Sequence, residues 1–564
     1  MKGTYEMKAK KITALITLIA CSASLFAGCG KQAENKTTEA VADDNVTAAG
    51  ELPIVKEKIT LKLGVPGTSF VEDYKTNAYT KYLEEKTNIN LEFYEFPSSG
   101  GGEKLNVMLA SNTELPDIIC GFHLPNSTFM QYADQEVFLD LTDYMDKYGY
   151  WINDMREQSS VDNFEACLKA PNGKKYFVPN AIEQVGNWYG GKAFINKKWL
   201  DKLGLKMPET TDEFEKVMEA FVTQDPNGNG KNDEIGFTGS KNGWNEKPVN
   251  FLMNSFVYDD YQKGLVLDDN GKISLNYMSD EYKEGLDYIR RLAESKALDV
   301  QCYTQDNNTL RSLCASEDTI VGAFASGSPD SLFVDDMTKL QDYVALPPLK
   351  GPKGVGYALR TAPSMRTEGI ITKYCKYPAA AYRLLDFMLS EEASIFARYG
   401  VEGKDWKRVD ENTPCLFKDI GFTSMILPIT SYSAVQNSNW HQYGSSFRSK
   451  DISNRMAWSG DELDGEYFKA KALTAYLDKG PKNVIAAATS SVNMLSLDVD
   501  DQTEFDGLAT QIEEYVKESI SLFVSGTYNL TSDWDKFKES LNNLDVNRYL
   551  ELWQKGYDRF ISQD

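Results

Sequence analysis

The sequence predicts an α/β protein with two or more layered domains. Three observations support this class. Strand-like runs alternate with amphipathic helical segments in the N-terminal part, and no long linker interrupts the chain. Roughly 510 of the 564 residues remain once an apolar leader and a polar segment are set aside. A chain of that length exceeds one ordinary hydrophobic core, so several domains are expected.

The predicted elements follow one another in the order strand, helix, strand, helix, strand. They cover residues 59–64, 74–86, 91–96, 103–110 and 117–120 in turn. Helical patterns dominate again later in the chain, at 379–399, 508–523 and 534–560. This alternation indicates helices packed on a sheet.

The N-terminus has the features of an export signal. A lysine-rich start precedes the apolar run 12–27, which is too short for a conventional spanning helix. Ala27 and Gly28 stand before Cys29 and resemble the lipobox of bacterial lipoproteins, although Phe26 stands where that motif usually has Leu. We expect a signal peptide at 1–28, lipidation of Cys29 and a disordered polar tether over 29–55. Cleavage without lipid is the alternative, and it also exports the chain.

Composition excludes several classes of partner and site. The formal charge is −23, with 60 basic and 83 acidic residues, so nucleic acid is not an expected partner. Only two histidines occur, and neither an HExxH nor a GxSxG motif is present. The cysteines beyond Cys29 form no CxxC pair and are expected to be small buried residues, with disulfides left open by the exported location.

The stretch DPNGNGKNDEIGF, at 225–237, resembles a calcium loop without its last ligand. Oxygen ligands recur at alternate positions, which are Asp225, Asn227, Asn229, the carbonyl of Lys231, and Asp233. Gly236 stands where an EF-hand has its bidentate Glu, so the final carboxylate must come from Glu234 or from elsewhere. A capped helix precedes the loop and a strand-like pair follows it, which indicates a fixed clip rather than a calcium sensor. A polar turn without a cation is the alternative.

Two enzymatic signatures can be weighed from the residues. Gly186, Gly191 and Lys192 nearly complete a phosphate-binding loop, but Ala193 stands where a hydroxyl must reach magnesium. Paired carboxylates for glycoside hydrolysis are not excluded, because in so acidic a chain some pair always lies close together.

Several segments together resemble the extracellular solute-binding proteins of family 1. The segments are LNVMLASNTELPDII, LDLTDYMDKYG, APNGKKYFVP, INKKWLDKLGLKMPETTDEFEKVMEAFVTQDPNGNGKNDEI, VALPPLKGPKG, YPAAAYRLLDFMLSEEASIFARYGVEGKDW and YLELWQKGYDRF. They resemble in particular the long lipoproteins that deliver oligosaccharides, including alginate-type chains, to ABC importers. The resemblance implies a type II periplasmic-binding-protein-like fold with two α/β lobes, a ligand cleft between them and a helical C-terminal segment.

The resemblance also implies a structural calcium ion, Ca2+, and a lobe map. Carried over residue by residue, the cation ligands are Asp225, Asn227, Asn229, Lys231 through its carbonyl, Asp233 and Glu234. The expected map places the first lobe at 56–180 and 343–400, and the second lobe at 181–342 with the calcium loop 225–234. Residues 401–564 are expected to return to the second lobe and to form the C-terminal helices. The lobe crossovers are expected near 177–181 and 343–348.

A sugar site needs aromatic platforms beside planar polar groups, because sugars present apolar C–H faces ringed by hydroxyls. Loops that follow strands are the expected places. The predicted ligand-binding residues are Asp73, His123, Glu183, Trp188, Tyr189, Asn242, Trp244, Trp440, Tyr443 and Trp458. Packing in the core is the competing explanation for each of them.

The sequence therefore predicts a binding protein and not an enzyme. We expect a monomer, lipid-anchored on the extracellular face of the cell membrane, that captures an oligosaccharide by closure of two lobes and hands it to the transmembrane subunits of an ABC importer. The alternatives are an exported glycoside hydrolase and a peptide-binding or adhesive surface lipoprotein. The sequence names neither the sugar nor its linkage and length.

Overall fold

The computed structural model describes residues 43–111, 114–122, 124–261, 263–361, 363–430, 434–462, 464–480 and 497–562. Its strands are β1 (Ile59–Pro66), β2 (Ile89–Phe96), β3 (Ile118–Ile119), β4 (Val178–Ile182), β5 (Ala193–Asn196), β6 (Ile235–Thr238), β7 (Leu265–Leu267), β8 (Ile273–Leu275), β9 (Val321–Ala325), β10 (Tyr343–Leu346), β11 (Met365–Ile371), β12 (Trp406–Arg408), β13 (Ile426–Pro428) and β14 (Ser446–Arg448).

The helices that precede β12 in the chain are α1 (Ala78–Thr87), α2 (Gly101–Ala110), α3 (Asn126–Asp134), α4 (Thr142–Tyr148), α5 (Trp151–Gln158), α6 (Phe164–Leu168), α7 (Val185–Trp188), α8 (Lys197–Leu203), α9 (Thr211–Thr223), α10 (Pro248–Met253), α11 (Asp280–Glu294), α12 (Asn307–Cys314), α13 (Pro378–Phe387) and α14 (Glu391–Tyr399). The helices after it are α15 (Lys450–Asn454), α16 (Gly465–Leu473), α17 (Val499–Val524), α18 (Trp534–Asn543) and α19 (Val546–Ile561). Within the residues that the structure describes, no helix is both long and apolar enough to cross a membrane.

Two sheets organise the chain. The first has the strand order β14-β4-β11-β3-β1-β2, in which β1 runs parallel to β2 and β3 while β11 is antiparallel to β3 and β4. The second has the order β10-β5-β9-β6. The N-terminal order of strand, helix, strand, helix, strand is confirmed by β1, α1, β2, α2 and β3. The chain passes from the first sheet to the second between β4 and β5 and returns between β10 and β11, while the exact lobe boundaries stay a prediction.

Each sheet lies in its own hydrophobic core. One core surrounds the first sheet and includes the buried faces of α1, α13 and α14. The other surrounds part of the second sheet and continues into the C-terminal helices, where Trp534 and Trp553 are buried. All six described cysteines are buried, as their scattered spacing predicts, and none of them is disulfide-bonded in this structure.

Two helical patterns that the sequence shows as continuous are each divided in the structure. The pattern at 379–399 becomes α13 and α14, because the Ser390 hydroxyl accepts a hydrogen bond from the Ala393 N–H and caps a new helix. The pattern at 534–560 becomes α18 and α19, because Asp545 adopts a φ of 60° between them. Periodicity alone does not reveal such breaks, since the apolar spacing continues across them.

The described end of the predicted tether is packed rather than free. Ile54 and Val55 are fully buried. The guanidinium of Arg383, itself buried, donates hydrogen bonds to the carbonyls of Thr47 and Ala48 at 2.6 Å and of Glu51 at 2.7 Å. The polar composition of this segment therefore did not reveal that two of its apolar residues are buried and that three of its carbonyls accept hydrogen bonds from Arg383.

Candidate functional site

The loop 434–445 forms a rigid shelf beside the first sheet. Its Gln436 carboxamide oxygen accepts hydrogen bonds from the N–H groups of Ser438 and Asn439, at 2.5 and 2.8 Å. The Gln436 backbone also forms an isolated parallel β-bridge with Val71, in which the Gln436 N–H donates a hydrogen bond to the Phe70 carbonyl at 3.0 Å. The side chains that follow Gln436 are therefore held in defined positions.

Trp440, a predicted sugar contact, lies in the core around the first sheet, which β14 also joins, whereas the expected map assigns residues 401–564 to the second lobe. Its side chain is fully buried, and its ring meets Tyr79 edge-on at 5.0 Å and Phe93 at 5.4 Å between centroids. Its indole N–H donates to the Thr80 hydroxyl at 2.8 Å. Trp440 presents no face to a ligand in this structure, because the strands and helix above it enclose both sides of the ring.

The next residues of the loop do reach an open surface. The His441 ring stacks on Phe70 with centroids 4.3 Å apart and planes 6° apart. His441 and Gln442 both have positive φ, at 52° and 66°, a conformation that costs free energy in non-glycine residues and is concentrated at functional sites. The ring of Tyr443, another predicted contact, lies 6.3 Å from that of His441. We call Phe70, His441 and Tyr443 the first-lobe ledge.

A small cavity adjoins this ledge at the carboxyl ends of the parallel strands. Its volume is about 220 Å³. It is lined by Pro66, Pro97, Ser98, Gly101, Gly102, Asn106, Gly121, Phe122, Leu124 and Pro125. Gly121 is required here, because a Cβ at that position would lie 2.7 Å from Cδ1 of Tyr443. Open α/β sheets bind ligands at such strand ends.

Glu368 on β11 joins the two loops of this region. Its carboxylate accepts a hydrogen bond from the Gly444 N–H at 2.7 Å and another from the Gly121 N–H. Burial raises the pKa of Glu368 to about 7, although both hydrogen bonds act to lower it. A buried carboxylate that binds two different loops sets the position of Tyr443 against Gly121.

Replacing Glu368 with glutamine is expected to change how stability depends on pH. The amide resembles the protonated acid but does not ionise. Since the folded-state pKa of about 7 lies above the ordinary value of 4.5, wild-type stability relative to Glu368→Gln should fall as pH rises from 4.5 to 7 and stay level above that. The decrease should be on the order of 3 kcal/mol at most.

Urea unfolding of both proteins at several pH values measures this difference. Glu103→Gln, at an exposed position at the start of α2, is the matched control and should give no such slope. Parallel stability curves for wild type and Glu368→Gln would show that the carboxylate is not held in the way described.

A second group of predicted contacts gathers where the chain enters the second sheet. Trp244 is 48% exposed, and its indole lies over Gly327, where an added Cβ would be 2.5 Å from Cε3 of the ring. The same ring lies 3.2 Å from the position of a Cβ on Gly190. The Gly327 N–H also donates to the Trp244 carbonyl at 2.9 Å. Because Gly190 and Gly327 carry no side chains, the Trp244 indole packs closely against them, and the rest of the ring remains exposed to solvent.

Trp188 and Tyr189 stand directly before Gly190. Trp188 is half-buried, and its indole nitrogen is buried with no hydrogen-bond partner among the described residues. The Lys450 ammonium lies 5.9 Å from the centre of its ring. Tyr189 is 8% exposed, and its carbonyl accepts a hydrogen bond from the buried Lys192 ammonium. We call Trp188, Tyr189 and Trp244 the second-lobe ledge.

Glu183 lies at the end of β4, just before this ledge. It is fully buried, and Oε1 accepts hydrogen bonds from the Ser159 hydroxyl at 2.6 Å and the Ser160 N–H at 2.8 Å. Its Oε2 has no partner within the described part of the chain. Trp458 is half-buried and stacks on Tyr467 at 4.9 Å, on α16, a helix that packs against α7. Both residues therefore lie near α7.

The remaining predicted contacts have local roles or lie elsewhere. The Asp73 carboxylate accepts hydrogen bonds from the Lys75 N–H and the Thr76 hydroxyl, both at 2.9 Å, and these bonds lower its pKa. Asn242 is exposed, and its side-chain oxygen accepts a hydrogen bond from the Asn307 N–H at 2.9 Å. His123 and Cys29 lie outside the described residues.

Phe70, Gly190, Gly327, Glu368 and Tyr467 belong to these surfaces but are missing from the predicted set. They are a phenylalanine, two glycines, a strand glutamate and a helical tyrosine. No local motif distinguishes them, because each acquires its role from a residue that it meets only through folding.

The predicted calcium loop is folded as a helix, loop and strand, formed by α9, residues 224–234 and β6. The Thr210 hydroxyl caps α9 by accepting from the Glu213 N–H at 3.2 Å, as predicted. Asp225 Oδ1 accepts from the Gly228 N–H at 2.8 Å, and Oδ2 accepts from the Gly230 N–H at 3.1 Å. These bonds wind the loop into a tight turn.

The loop also brings the carboxylates of Asp225 and Asp233 close enough to Glu234 for their charges to act on it. Glu234 Oε1 is buried without a hydrogen-bond partner among the described residues. Burial raises the pKa of Glu234, and the negative charges of Asp225 and Asp233 raise it further. The amide nitrogen of Asn229 lies 3.2 Å from Asp233, while its side-chain oxygen accepts from the Lys231 N–H at 2.8 Å. A divalent cation would neutralise this local excess of negative charge.

In the described ranges, no group of three or more His, Cys, Asp and Glu residues is arranged to hold a metal on its own. The predicted ligand set contains three such residues, Asp225, Asp233 and Glu234, and this structure does not gather their carboxylates around one point. The assignment of the six ligands stays a prediction.

Comparison with known proteins identifies the family to which the chain belongs. The family model for bacterial extracellular solute-binding proteins matches residues 67–395. The fructooligosaccharide ABC transporter substrate-binding protein FusA of Streptococcus pneumoniae is 26% identical over 575 residues, covering 98% of this chain and 99% of FusA. Lipoprotein LipO of Bacillus subtilis is 25% identical over 399 residues, covering 66% of this chain and 75% of LipO.

Solved structures show the same fold. FusA in complex with kestose has a TM-score of 0.69 and 24% identity, covering 90% of this chain and all of FusA. An EF-hand mutant of FusA has also been solved, with fructo-nystose bound. An extracellular solute-binding protein from Bifidobacterium longum subsp. infantis has a TM-score of 0.72 and 22% identity, covering 89% and 98% of the two chains.

These matches confirm the predicted two-lobed α/β fold with a cleft between the lobes. They also confirm the expectation of a binding protein, because the matched family and FusA are solute- or substrate-binding proteins and not enzymes. The chain belongs to the bacterial extracellular solute-binding proteins.

Proposed function

We propose that this protein is the substrate-binding subunit of an ABC importer, and that it captures an oligosaccharide between its two lobes. Its similarity to FusA extends over nearly the whole of both chains, which supports the same type of role. The transmembrane subunits of the importer are the proposed protein partner. No reaction is proposed on the ligand, so the glycoside hydrolase alternative is set aside.

The assignment of a sugar ligand rests mainly on the exposed ring of Trp244. A half-exposed indole lying on two glycines is a flat apolar platform of the kind that a sugar ring needs. Trp188 and Tyr189 stand directly before Gly190, one of the two glycines against the Trp244 ring, so they are the proposed neighbours of the bound sugar.

The first-lobe ledge supplies the opposite contact in this proposal. Its stacked His441 and Phe70 rings and the adjacent Tyr443 offer a second apolar face. A ligand that touches both ledges gains its full contact only in the closed form, so binding shifts the population toward closure. Trp440 is left out of the proposed contacts because it is enclosed in the core.

The cellular location is part of the same proposal. The leader at 1–28 would direct export, and a lipid on Cys29 would hold the protein at the extracellular face of the cell membrane. The name of the relative LipO, a lipoprotein, is consistent with this. We propose a monomer with one structural Ca2+, and the net charge of −23 makes nucleic acid an unsuitable partner.

Trp244→Ala is expected to weaken oligosaccharide binding about 30-fold or more, since a buried aromatic contact is worth about 2 kcal/mol or more at a binding hot spot. Calorimetry with a panel of oligosaccharides that includes fructooligosaccharides measures the affinity. Tyr150→Ala is the matched control, because Tyr150 is also exposed, at 54%, but lies on the first lobe beside α5.

The same panel tests the rest of the proposal. An oligosaccharide that binds should raise the unfolding temperature in proportion to the logarithm of its free concentration, and it should be recovered with its chain length unchanged. Stabilisation by peptides and by no glycan would contradict the sugar assignment. Persistent shortening of a glycan by pure protein would contradict the binding role.

A further inference from the structure

A second cavity lies in the second lobe, between the segment that follows β6 and the helix α17. Its volume is about 390 Å³, within the range of small-molecule sites. It is lined by Lys241, Glu246, Lys247, Pro248, Val249, Asn250, Tyr261, Tyr277, Tyr282, Cys302, Tyr303, Glu513, Glu514, Val516, Lys517 and Ile520. None of the residues proposed above to contact the oligosaccharide belongs to this set, so the cavity is a separate place on the molecule.

Four tyrosines form much of the wall. Tyr277 and Tyr282 meet edge to face with centroids 5.2 Å apart, and Tyr261 completes this side. The hydroxyl of Tyr303 is buried and has no hydrogen-bond partner among the described residues. Aromatic walls with one unused hydroxyl suit a ring that carries a polar group.

The lysines of the cavity are not neutralised. None of Lys241, Lys247 and Lys517 has a carboxylate within 4 Å in the described ranges, whereas Lys263 forms an ion pair with the lining residue Glu513. Lys247 is half-buried, and its ammonium donates to the Lys241 carbonyl. Burial lowers the pKa of Lys247, and the positive charge of Lys517 lowers it further. The two ammonium groups therefore lie close enough to repel each other.

Two of the carboxylates in the lining are occupied elsewhere. Glu246 is 1% exposed and accepts hydrogen bonds from the Ser240 hydroxyl and, at 2.7 Å, from the Asn307 amide. Glu513 forms an ion pair with Lys263 at 2.9 Å. The third lining carboxylate, Glu514, is exposed on α17, and none of the three is paired with Lys241, Lys247 or Lys517 in the described ranges, so these ammonium groups remain available to a ligand.

We propose that this cavity is a binding site for a compact organic anion one ring in size, with its acid group toward Lys247 and Lys517 and its ring against the tyrosine wall. The site is distinct from the oligosaccharide cleft. A sugar acid and a sugar phosphate share the required chemistry, since both combine a ring with an anionic group that accepts charge-assisted hydrogen bonds.

Calorimetry on the purified protein tests the site with four probes, namely glucuronate, glucose 6-phosphate, glucose and inorganic phosphate. We expect one of the two ring anions to bind with one-to-one stoichiometry and at least tenfold more tightly than glucose or inorganic phosphate. The ring anion that binds more tightly shows whether the site takes a sugar acid or a sugar phosphate. Lys517→Gln, at an exposed position of α17, should weaken that anion about tenfold or more. Tyr303→Phe should weaken it as well and leaves the wall in place.

Lys216→Gln is the matched control, because Lys216 is an exposed lysine of α9 outside the cavity. It should bind the anion as wild type does, and oligosaccharide affinity should be unchanged in Lys517→Gln. Failure of both ring anions to bind, or equal binding by wild type, Lys517→Gln and Tyr303→Phe, overturns the proposal. Loss of anion binding in Trp244→Ala together with normal binding in Lys517→Gln also overturns it, because the anion would then occupy the cleft. Each of these results is independent of whether oligosaccharides bind.

Discussion

Replacing Trp440 with alanine is expected to lower the free energy of unfolding by about 3–5 kcal/mol, while Trp244→Ala should change it by less than about 1 kcal/mol. The difference follows from burial, since Trp440 is fully enclosed and Trp244 is 48% exposed. Truncating Trp440 leaves a cavity between Tyr79 and Phe93 that the sheet and α1 prevent from closing. Urea and thermal unfolding of the two variants measure the contrast.

The two substitutions are chemically identical, so each controls for the other. Trp244→Ala should lose oligosaccharide affinity with little loss of stability, and Trp440→Ala should lose stability with a ligand affinity near that of wild type at temperatures where it remains folded. A stable Trp440→Ala protein that no longer binds would show that Trp440 contacts the ligand directly. That result would reverse the assignment made from its burial.

Removal of calcium is expected to destabilise the protein as strongly as a core mutation. A ligand present at 100 times its dissociation constant stabilises the folded state by about 2.7 kcal/mol. Without the cation, the carboxylates of Asp225, Asp233 and Glu234 repel one another, as the raised pKa of Glu234 indicates. Thermal unfolding in chelator and in added calcium measures the effect, and elemental analysis after dialysis should find about one calcium per chain.

Asp225→Ala should abolish the response to calcium and lower the unfolding temperature to that of the chelated wild type. Asp318→Ala is the matched control. The Asp318 carboxylate contacts the Lys231 ammonium at 2.9 Å and the amide nitrogen of Asn229 at 3.1 Å, and it supplies no proposed ligand oxygen, so calcium should still stabilise that variant. An identical unfolding temperature for wild type with and without calcium would mean that the loop is only a polar turn.

Local features of this chain were readable from sequence because their causes are local. The cap on α9 depends on Thr210 and Glu213, three residues apart, and the structure contains it. The N-terminal alternation of strands and helices depends on side-chain periodicity within each segment, and β1 to β3 confirm it. The family resemblance adds up many such local matches, which is why the two-lobed fold could be predicted as well.

The candidate site was predictable only in part. Trp440 and Trp244 offer the same local signal, which is a tryptophan in a polar loop, yet one is enclosed and the other is open. The Trp244 indole packs against Gly190 and Gly327, and the His441 ring stacks on the ring of Phe70. These partners lie far away in the chain, so no window of sequence contains the information.

By itself, the sequence determined the α/β class, the family and the winding of the loop at 225–234, because hydrogen bonds and hydrophobic periodicity act over a few residues. Only the tertiary structure decided which aromatic faces stay open and which lysines lack ion pairs, since solvent exposure depends on segments that meet through folding. The burial of Glu368 between two loops is of the second kind. Its pKa is raised because β11 carries the carboxylate into the interior, where burial outweighs the hydrogen bonds from Gly121 and Gly444.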